Sequence, residues 1–114
     1  GAASGDYSTG AASGDYSTGA ASGDYSTGAA SGDYSTGAAS GDYSTAEVSG
    51  KGSIAVANGA HSKARGALGC YLVLTEYDDD GNMLWAKMTK VDGASIKENV
   101  WYTIKNGEFV EVEQ

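Results

Sequence analysis

The stretch STAEVSGKGSIAVANGAH, residues 44–61, decides how the chain is read, because it keeps the period of the copies before it while letting their positions vary. Upstream, GAASGDYST stands five times without a change, from Gly1 to Thr45. The serines at the head of each unit, Ser8, Ser17, Ser26, Ser35 and Ser44, are followed at the same step by Ser53 and Ser62, and the period runs to about Cys70. In that frame the units share the pattern S-x-(A/G)-x-(A/V)-(S/N)-G-x-x, and SKARGALGC, residues 62–70, departs from it only at its fifth to seventh positions.

The imperfect units separate constrained positions from free ones. The second and fourth vary among Thr, Ile, Lys, Ala, Glu, Val and Arg, whereas the first, third and fifth stay small. A period of two over five residues is the signature of a short strand with one confined face. Ser17, Gly19 and Ala21 are therefore expected inside, Thr18 and Ala20 outside, and likewise in every unit. The (Ser/Asn)-Gly-x-x that follows reads as a corner, its glycine expected to supply a positive φ.

Strand plus corner fills nine residues, and the bulk of the inward side chains sets the number of sides. Three units per turn would enclose a lumen that Ala, Gly and Ser cannot fill to normal density. Two per turn predict a flattened roll of 18 residues per coil, its sheets closer than the roughly 10 Å usual for larger side chains. A trimer sharing the lumen, one wall per chain, is the alternative. The fold class is thus all-β: a parallel β-solenoid (β-roll) of nine-residue repeats over residues 1–67, with a C-terminal antiparallel β-meander cap over residues 68–114.

Val, Ile, Leu, Trp, Phe and Met are absent before Val48, so the backbone ladder must carry the first half. Tyr7, Tyr16, Tyr25, Tyr34 and Tyr43 share one corner position, and alternate tyrosines should stack along opposite edges. Asp6, Asp15, Asp24, Asp33 and Asp42 form acidic columns that would repel unless their carboxylates accept backbone N–H groups within the turn or share a cation. Local turn bonding is expected.

From Leu68 apolar runs appear at 70–77, 83–91, 100–105 and 108–112 and read as four strands. Asn106-Gly107 is a hairpin signal that places Ile104 opposite Phe109 and Lys105 opposite Glu108. Leu72, Leu74, Leu84, Trp85, Met88, Trp101, Ile104 and Phe109 are expected to give this cap its own small core. A cap covers the last rung. The opposite end has no such cover, so homo-oligomers, dimers or trimers, are expected through the N-terminal rungs.

The repeats hold five aspartates and no base, and residues 46–114 hold ten acids and seven bases, for a net charge of -8. This disfavours nucleic acid, which needs clustered cations. No apolar run reaches the roughly 20 residues that cross a bilayer, so no membrane insertion is expected. Cys70 stands alone and leaves the compartment open.

Residues 53–66, SIAVANGAHSKARG, resemble the S-(V/I)-A-(I/V)-x-x-G-x-x-S-x-A-x-G pattern in head domains of trimeric autotransporter adhesins, which implies a β-roll. The chain is also similar to short bacterial and phage-borne repeat proteins with nine-residue Ser/Ala/Gly units and a β-rich tail. The matching tail elements are Gly66-Ala67-Leu68-Gly69-Cys70, Lys90-Val91-Asp92-Gly93, Trp101-Tyr102-Thr103 and residues 106–110, NGEFV. That likeness implies a solenoid with a cap. The identity of the five copies implies a regularised or extended parent.

Residues that invite chemistry have plainer readings. GAASGDYST shares only its length and one aspartate with calcium-binding nonapeptides. One threonine per strand, at Thr9, Thr18, Thr27, Thr36 and Thr45, is sparse for an ice-binding array. Asp78-Asp79-Asp80-Gly81-Asn82 has its glycine too early for an EF-hand loop and reads as a solvated turn. His61 is a lone corner residue, and Cys70 is expected to pack as a small hydrophobe. No catalytic, cofactor-binding or metal-binding residue is assigned, and no small-molecule substrate is expected. The expected function is a non-enzymatic structural scaffold, with a surface-binding module of adhesin or phage-fibre kind as the alternative.

Overall fold

One nonapeptide makes one strand and one corner, and successive units alternate between two facing sheets. The computed structural model describes residues 1–113, and these contain strands and no helix. The strands are β1 (Ala2–Ser4), β2 (Thr9–Ala12), β3 (Thr18–Ser22), β4 (Thr27–Ala30), β5 (Thr36–Ser40), β6 (Thr45–Val48), β7 (Ile54–Asn58), β8 (Lys63–Gly66), β9 (Tyr71–Tyr77), β10 (Met83–Lys90), β11 (Tyr102–Lys105) and β12 (Glu108–Glu111). One sheet has the order β1-β3-β5-β7-β9-β10 and the other β12-β11-β8-β6-β4-β2. Within the repeats the pairing is parallel at a step of 18, as in Thr9↔Thr27 and Thr18↔Thr36. The chain is therefore a parallel β-solenoid of about four turns with two units per coil, and its shortest dimension is 20 Å.

The alternation expected along each strand is present. Gly19 and Ala21 are buried in β3 while Thr18 and Ala20 are not, and the serines of the first position are fully inside from Ser26 onward. Why the third position is glycine follows from the gap between the sheets. A Cβ at Gly10, Gly19 or Gly28 would overlap the carbonyl oxygen of Ala20, Ala29 or Ala38 on the opposite sheet, and at Gly37 it would lie 2.6 Å from that of Glu47. At Ala46, Ala55 and Ala64 a methyl group occupies the same place, fully buried. In the last coil Leu72 and Leu74 stand in register with Ala55 and Ala57. The interior is a wedge, thinnest at the N-terminal end.

The corners solve two problems in a way that composition does not reveal. The second residue of the corner, glycine in each of these units, holds a positive φ at one edge only, at Gly5, Gly23, Gly41 and Gly59. The residue in the left-handed region at each of the first five corners is tyrosine, with φ between 57° and 62°, followed by Gly52 and His61 in the degenerate units. The requirement for glycine is close approach: a Cβ at Gly23 would lie 2.5 Å from the carbonyl oxygen of Gly5 one coil away. The expected positive φ is present at Gly5, Gly23, Gly41 and Gly59 and absent at Gly14, Gly32 and Gly50; at Gly32 and Gly50 stacking of the coils is what requires glycine.

Beyond β8 the four expected strands form, but they do not make one meander. β9 continues the solenoid, parallel to β7, after a step of 17 residues between Ile54 and Tyr71. β10 then returns antiparallel along β9. The β11–β12 hairpin joins the other sheet through an antiparallel bridge from Tyr102 to Ala64. Its turn is the expected Asn106-Gly107, both residues at positive φ, with Ile104 opposite Phe109 and Lys105 opposite Glu108. The core is also shared: one buried cluster runs from Ala30 through Val48, Leu72, Leu74, Val91 and Tyr102 to Ile104. Leu84, Trp85 and Met88, expected within a separate core, are 52%, 45% and 62% exposed, because β10 lies at the sheet's edge.

Candidate functional site

The residues repeated at fixed spacing meet their own copies, and those columns are the organised surface of the molecule. Along one edge Tyr7, Tyr25, Tyr43 and His61 stack with ring centroids 5.1, 5.1 and 5.0 Å apart; along the other Tyr16 and Tyr34 stack at 5.4 Å. The first pairs are within 5° of parallel. This spacing follows from the ladder, since in-register corners one strand spacing apart leave each ring little choice but to lie over the next.

Each aspartate column is held by the coil above it. Asp24 N–H donates to Asp6 Oδ1 at 3.0 Å, Asp33 N–H to Asp15 and Asp42 N–H to Asp24 at 2.9 Å, and Lys51 N–H and Ala60 N–H donate to Asp33 and Asp42. The carboxylates do accept backbone N–H groups, but across coils rather than within the turn as expected. The physical reason is orientation: stacked corners point their N–H groups along the solenoid axis, the aspartate N–H toward the preceding coil and the tyrosine N–H toward the next. Tyr7 N–H reaches Asp24 O in the same zone at 2.9 Å.

Inside, serine hydroxyls satisfy the carbonyls of the corners. Ser8 and Ser26 donate to Gly5 and Gly23 of their own corner, both at 2.6 Å, whereas Ser53 and Ser62 donate to Gly32 and Gly41 one coil earlier, both at 3.2 Å. Cys70 ends one such column, its thiol 3.1 Å from the carbonyl oxygen of Gly50. It packs as a small buried residue, as expected, and also replaces a serine. Among the described residues no buried side-chain polar atom lacks a partner.

The remaining sequence candidates are separate from one another. Thr27 and Thr45 hydroxyls meet at 2.9 Å in a column on the outer face. The Asp78 carboxylate accepts N–H groups from Asp80 and Asn82, both at 2.9 Å, and the Asn82 side-chain amide at 3.2 Å, so the acidic run is organised as a turn. These bonds hold the Asp78 carboxyl below its ordinary range, the Asn82 backbone foremost; Asp92 is lowered in the same way by the N–H groups of Ile96 and Ala94. His61 is the last member of the tyrosine stack. Among the described residues no three His, Cys, Asp or Glu side chains converge as metal ligands would.

Two arrangements escaped the sequence reading. Both oxygens of Glu76 on β9 accept the N–H groups of the β11–β12 turn, Asn106 at 2.9 Å and Gly107 at 3.0 Å. Lys87 on β10 donates to Gly107 O at 2.6 Å and lies over the Trp85 ring, which covers Gly107. The two hairpins are thereby clamped at one glycine. On the outer face, Arg65 pairs with Glu47 at 2.6 Å and lies with Lys63 against the Trp101 ring. Both sets join residues distant in sequence, and only the Glu47–Arg65 step of 18 left a trace in the period.

No family model, curated protein or solved structure matches this chain in the three comparisons made.

Proposed function

We propose that the chain is a non-enzymatic structural scaffold, a solenoid whose length is set by its number of identical units and which associates with a second copy through its N-terminal rung. The observation that carries this reading is the difference between the two ends. Among the described residues no strand pairs with the outer edge of β1 or β2, which carry only small side chains, whereas the edge strands at the other end, β10 and β12, belong to antiparallel hairpins bearing bulky and charged side chains such as Trp85, Lys87, Glu108 and Glu111. An uncovered pair of strand edges is a template for further strands. Two copies meeting there about a two-fold axis would pair antiparallel and would cover Tyr7 and Tyr16, which are 75% and 79% exposed against about half for the other repeat tyrosines.

The identity of the five copies supports a regularised or extended parent, because a binding surface needs positions that differ. Adding one 18-residue coil should lengthen the particle by about 4.8 Å in small-angle scattering and leave the C-terminal hairpins unchanged. Sedimentation should give a dimer at micromolar concentration that Ala2→Lys with Ala11→Lys reduces to a monomer. A strictly monomeric wild type would remove the self-association, and a chain that loses its fold on extension would remove the scaffold.

A surface-binding module is the second reading, favoured by a cleft of about 680 Å³ between the Tyr25–Tyr43–His61 edge and the C-terminal hairpin, bordered by Lys63, Glu76 and Lys105. That reading requires a ligand whose affinity follows substitutions at Lys63 and Lys105 and ignores the number of coils.

A further inference from the structure

The tyrosine columns combine three properties seldom found together: the phenols are exposed, in register, and stacked on residues one coil away. Tyr25 and Tyr43 are each 49% exposed, with centroids 5.1 Å apart and planes within 4°. Tyr7 repeats the arrangement below them, and Tyr16 and Tyr34 form a separate pair on the other edge. Neighbouring phenols therefore stand about one strand spacing apart and about half open to solvent.

We propose that these columns are sites of oxidative tyrosine coupling within one chain, each coupling stapling a coil to the next. A one-electron oxidant, such as a peroxidase using hydrogen peroxide, removes an electron and the hydroxyl proton from each of two stacked phenols. The two radicals join at ring carbons ortho to the oxygens, forming one carbon–carbon bond. The ortho hydrogens then shift to the oxygens and restore both phenols. Two electrons and two protons leave the protein and reduce one peroxide to two waters. The product spans 18 residues, joining Tyr25 to Tyr43 or Tyr16 to Tyr34. Its placement matters most in the N-terminal coils, where no bulky side chain holds the sheets together.

Two variants test this, both carrying Tyr71→Phe and Tyr77→Phe. The first adds Tyr7→Phe, Tyr16→Phe and Tyr34→Phe and keeps the stacked pair Tyr25 and Tyr43. The second adds Tyr7→Phe, Tyr34→Phe and Tyr43→Phe and keeps Tyr16 and Tyr25, closer in sequence but on opposite edges. Phenylalanine preserves the ring, so both should stay folded. Treated with peroxidase and peroxide at low protein concentration, the first should yield monomer that has lost two hydrogen atoms and fluoresces as dityrosine. Its yield should exceed that of the second by roughly tenfold or more, as expected of a pair held at high effective concentration. The excess should vanish in denaturant, and the coupled product should melt at a higher temperature. Equal yields, no product, or product only in cross-linked dimers would overturn the proposal.

Discussion

Coils near Gly10 and coils near Leu72 share a backbone path, yet their interiors work in opposite ways. Near the N-terminal end the sheets lie so close that a single methyl at Gly10 or Gly28 would overlap the facing carbonyl. Near the C-terminal end Leu72, Leu74, Tyr102 and Ile104 fill a wider space and are almost wholly buried. In the thin region stability comes from backbone pairing and side-chain columns, at about 1 kcal/mol net for each hydrogen bond. In the thick region it comes from apolar burial, worth about 1.5–3 kcal/mol for each large side chain. The C-terminal coils therefore hold most of the apolar burial, and each repeat adds its own strand and interface terms to them.

The contrast is broken most severely by exchanging the two interiors. Leu74→Ala in the thick region should cost about 2–5 kcal/mol through the cavity it leaves, seen as a fall in the denaturant midpoint. Gly28→Ala in the thin region, which adds one methyl, should cost about 1–3 kcal/mol by overpacking. Ala46→Gly, one coil further on in the same column, should cost less than Gly28→Ala, since a methyl already fits there. If Gly28→Ala proved neutral in urea unfolding, the wedge would be refuted.

How much of this was legible depends on whether a residue meets its own copy. The strand–corner unit, the inward Ser, Gly and Ala, the 18-residue coil and the tyrosine stacks all follow from the period, because a repeat fixes its own neighbours. The Asn106-Gly107 hairpin was legible for a local reason, its turn chemistry. Three things were hidden. Tyrosine in the left-handed region runs against its preference, and what accompanies it there, stacked rings and N–H groups that donate to the next coil, depends on the neighbouring coils. The aspartates bond to the next coil because corner N–H groups point along the axis, a direction no sequence pattern records. The Glu76, Lys87 and Trp85 clamp on Gly107 joins residues 20 to 31 apart with no shared period, so the cap read as a meander with Leu84, Trp85 and Met88 in its core.

The clamp gives the next effect in size. Glu76→Ala removes a carboxylate that accepts two backbone N–H groups and should cost about 1.5 kcal/mol, the low end for bonds to charged groups because the site is partly open to water. The loss should fall on the β11–β12 hairpin, with faster amide exchange at Asn106 and Gly107, and leave the repeat coils protected. Uniform loss of protection would mean that the hairpin and the solenoid unfold as one unit.

Cys70→Ser should change stability by no more than about 0.5–1 kcal/mol, a sharper test of column chemistry than of packing. A hydroxyl can donate to Gly50 O as Ser53 does to Gly32 O. Cys70→Ala keeps the apolar burial and drops the donor, so it should be the less stable of the two. The opposite order would show that the thiol serves only as a hydrophobe.

The smallest effect is set by acid. Asp78 and Asp92 have carboxyls held below the ordinary range, near 3.9, by turn N–H groups. A carboxyl whose pKa is lower in the folded chain than in the unfolded one binds fewer protons when folded, so its contribution is present above that ordinary value. It is lost as pH falls through the depressed value. Melting temperature should therefore decline between about pH 4 and the depressed range, and Asp78→Asn should flatten part of that decline while sparing the tyrosine columns. Asp92→Asn should flatten a further part of it, since its carboxylate is held by the N–H groups of Ile96 and Ala94, and an unchanged decline in the double variant would rule out these two turns as its source.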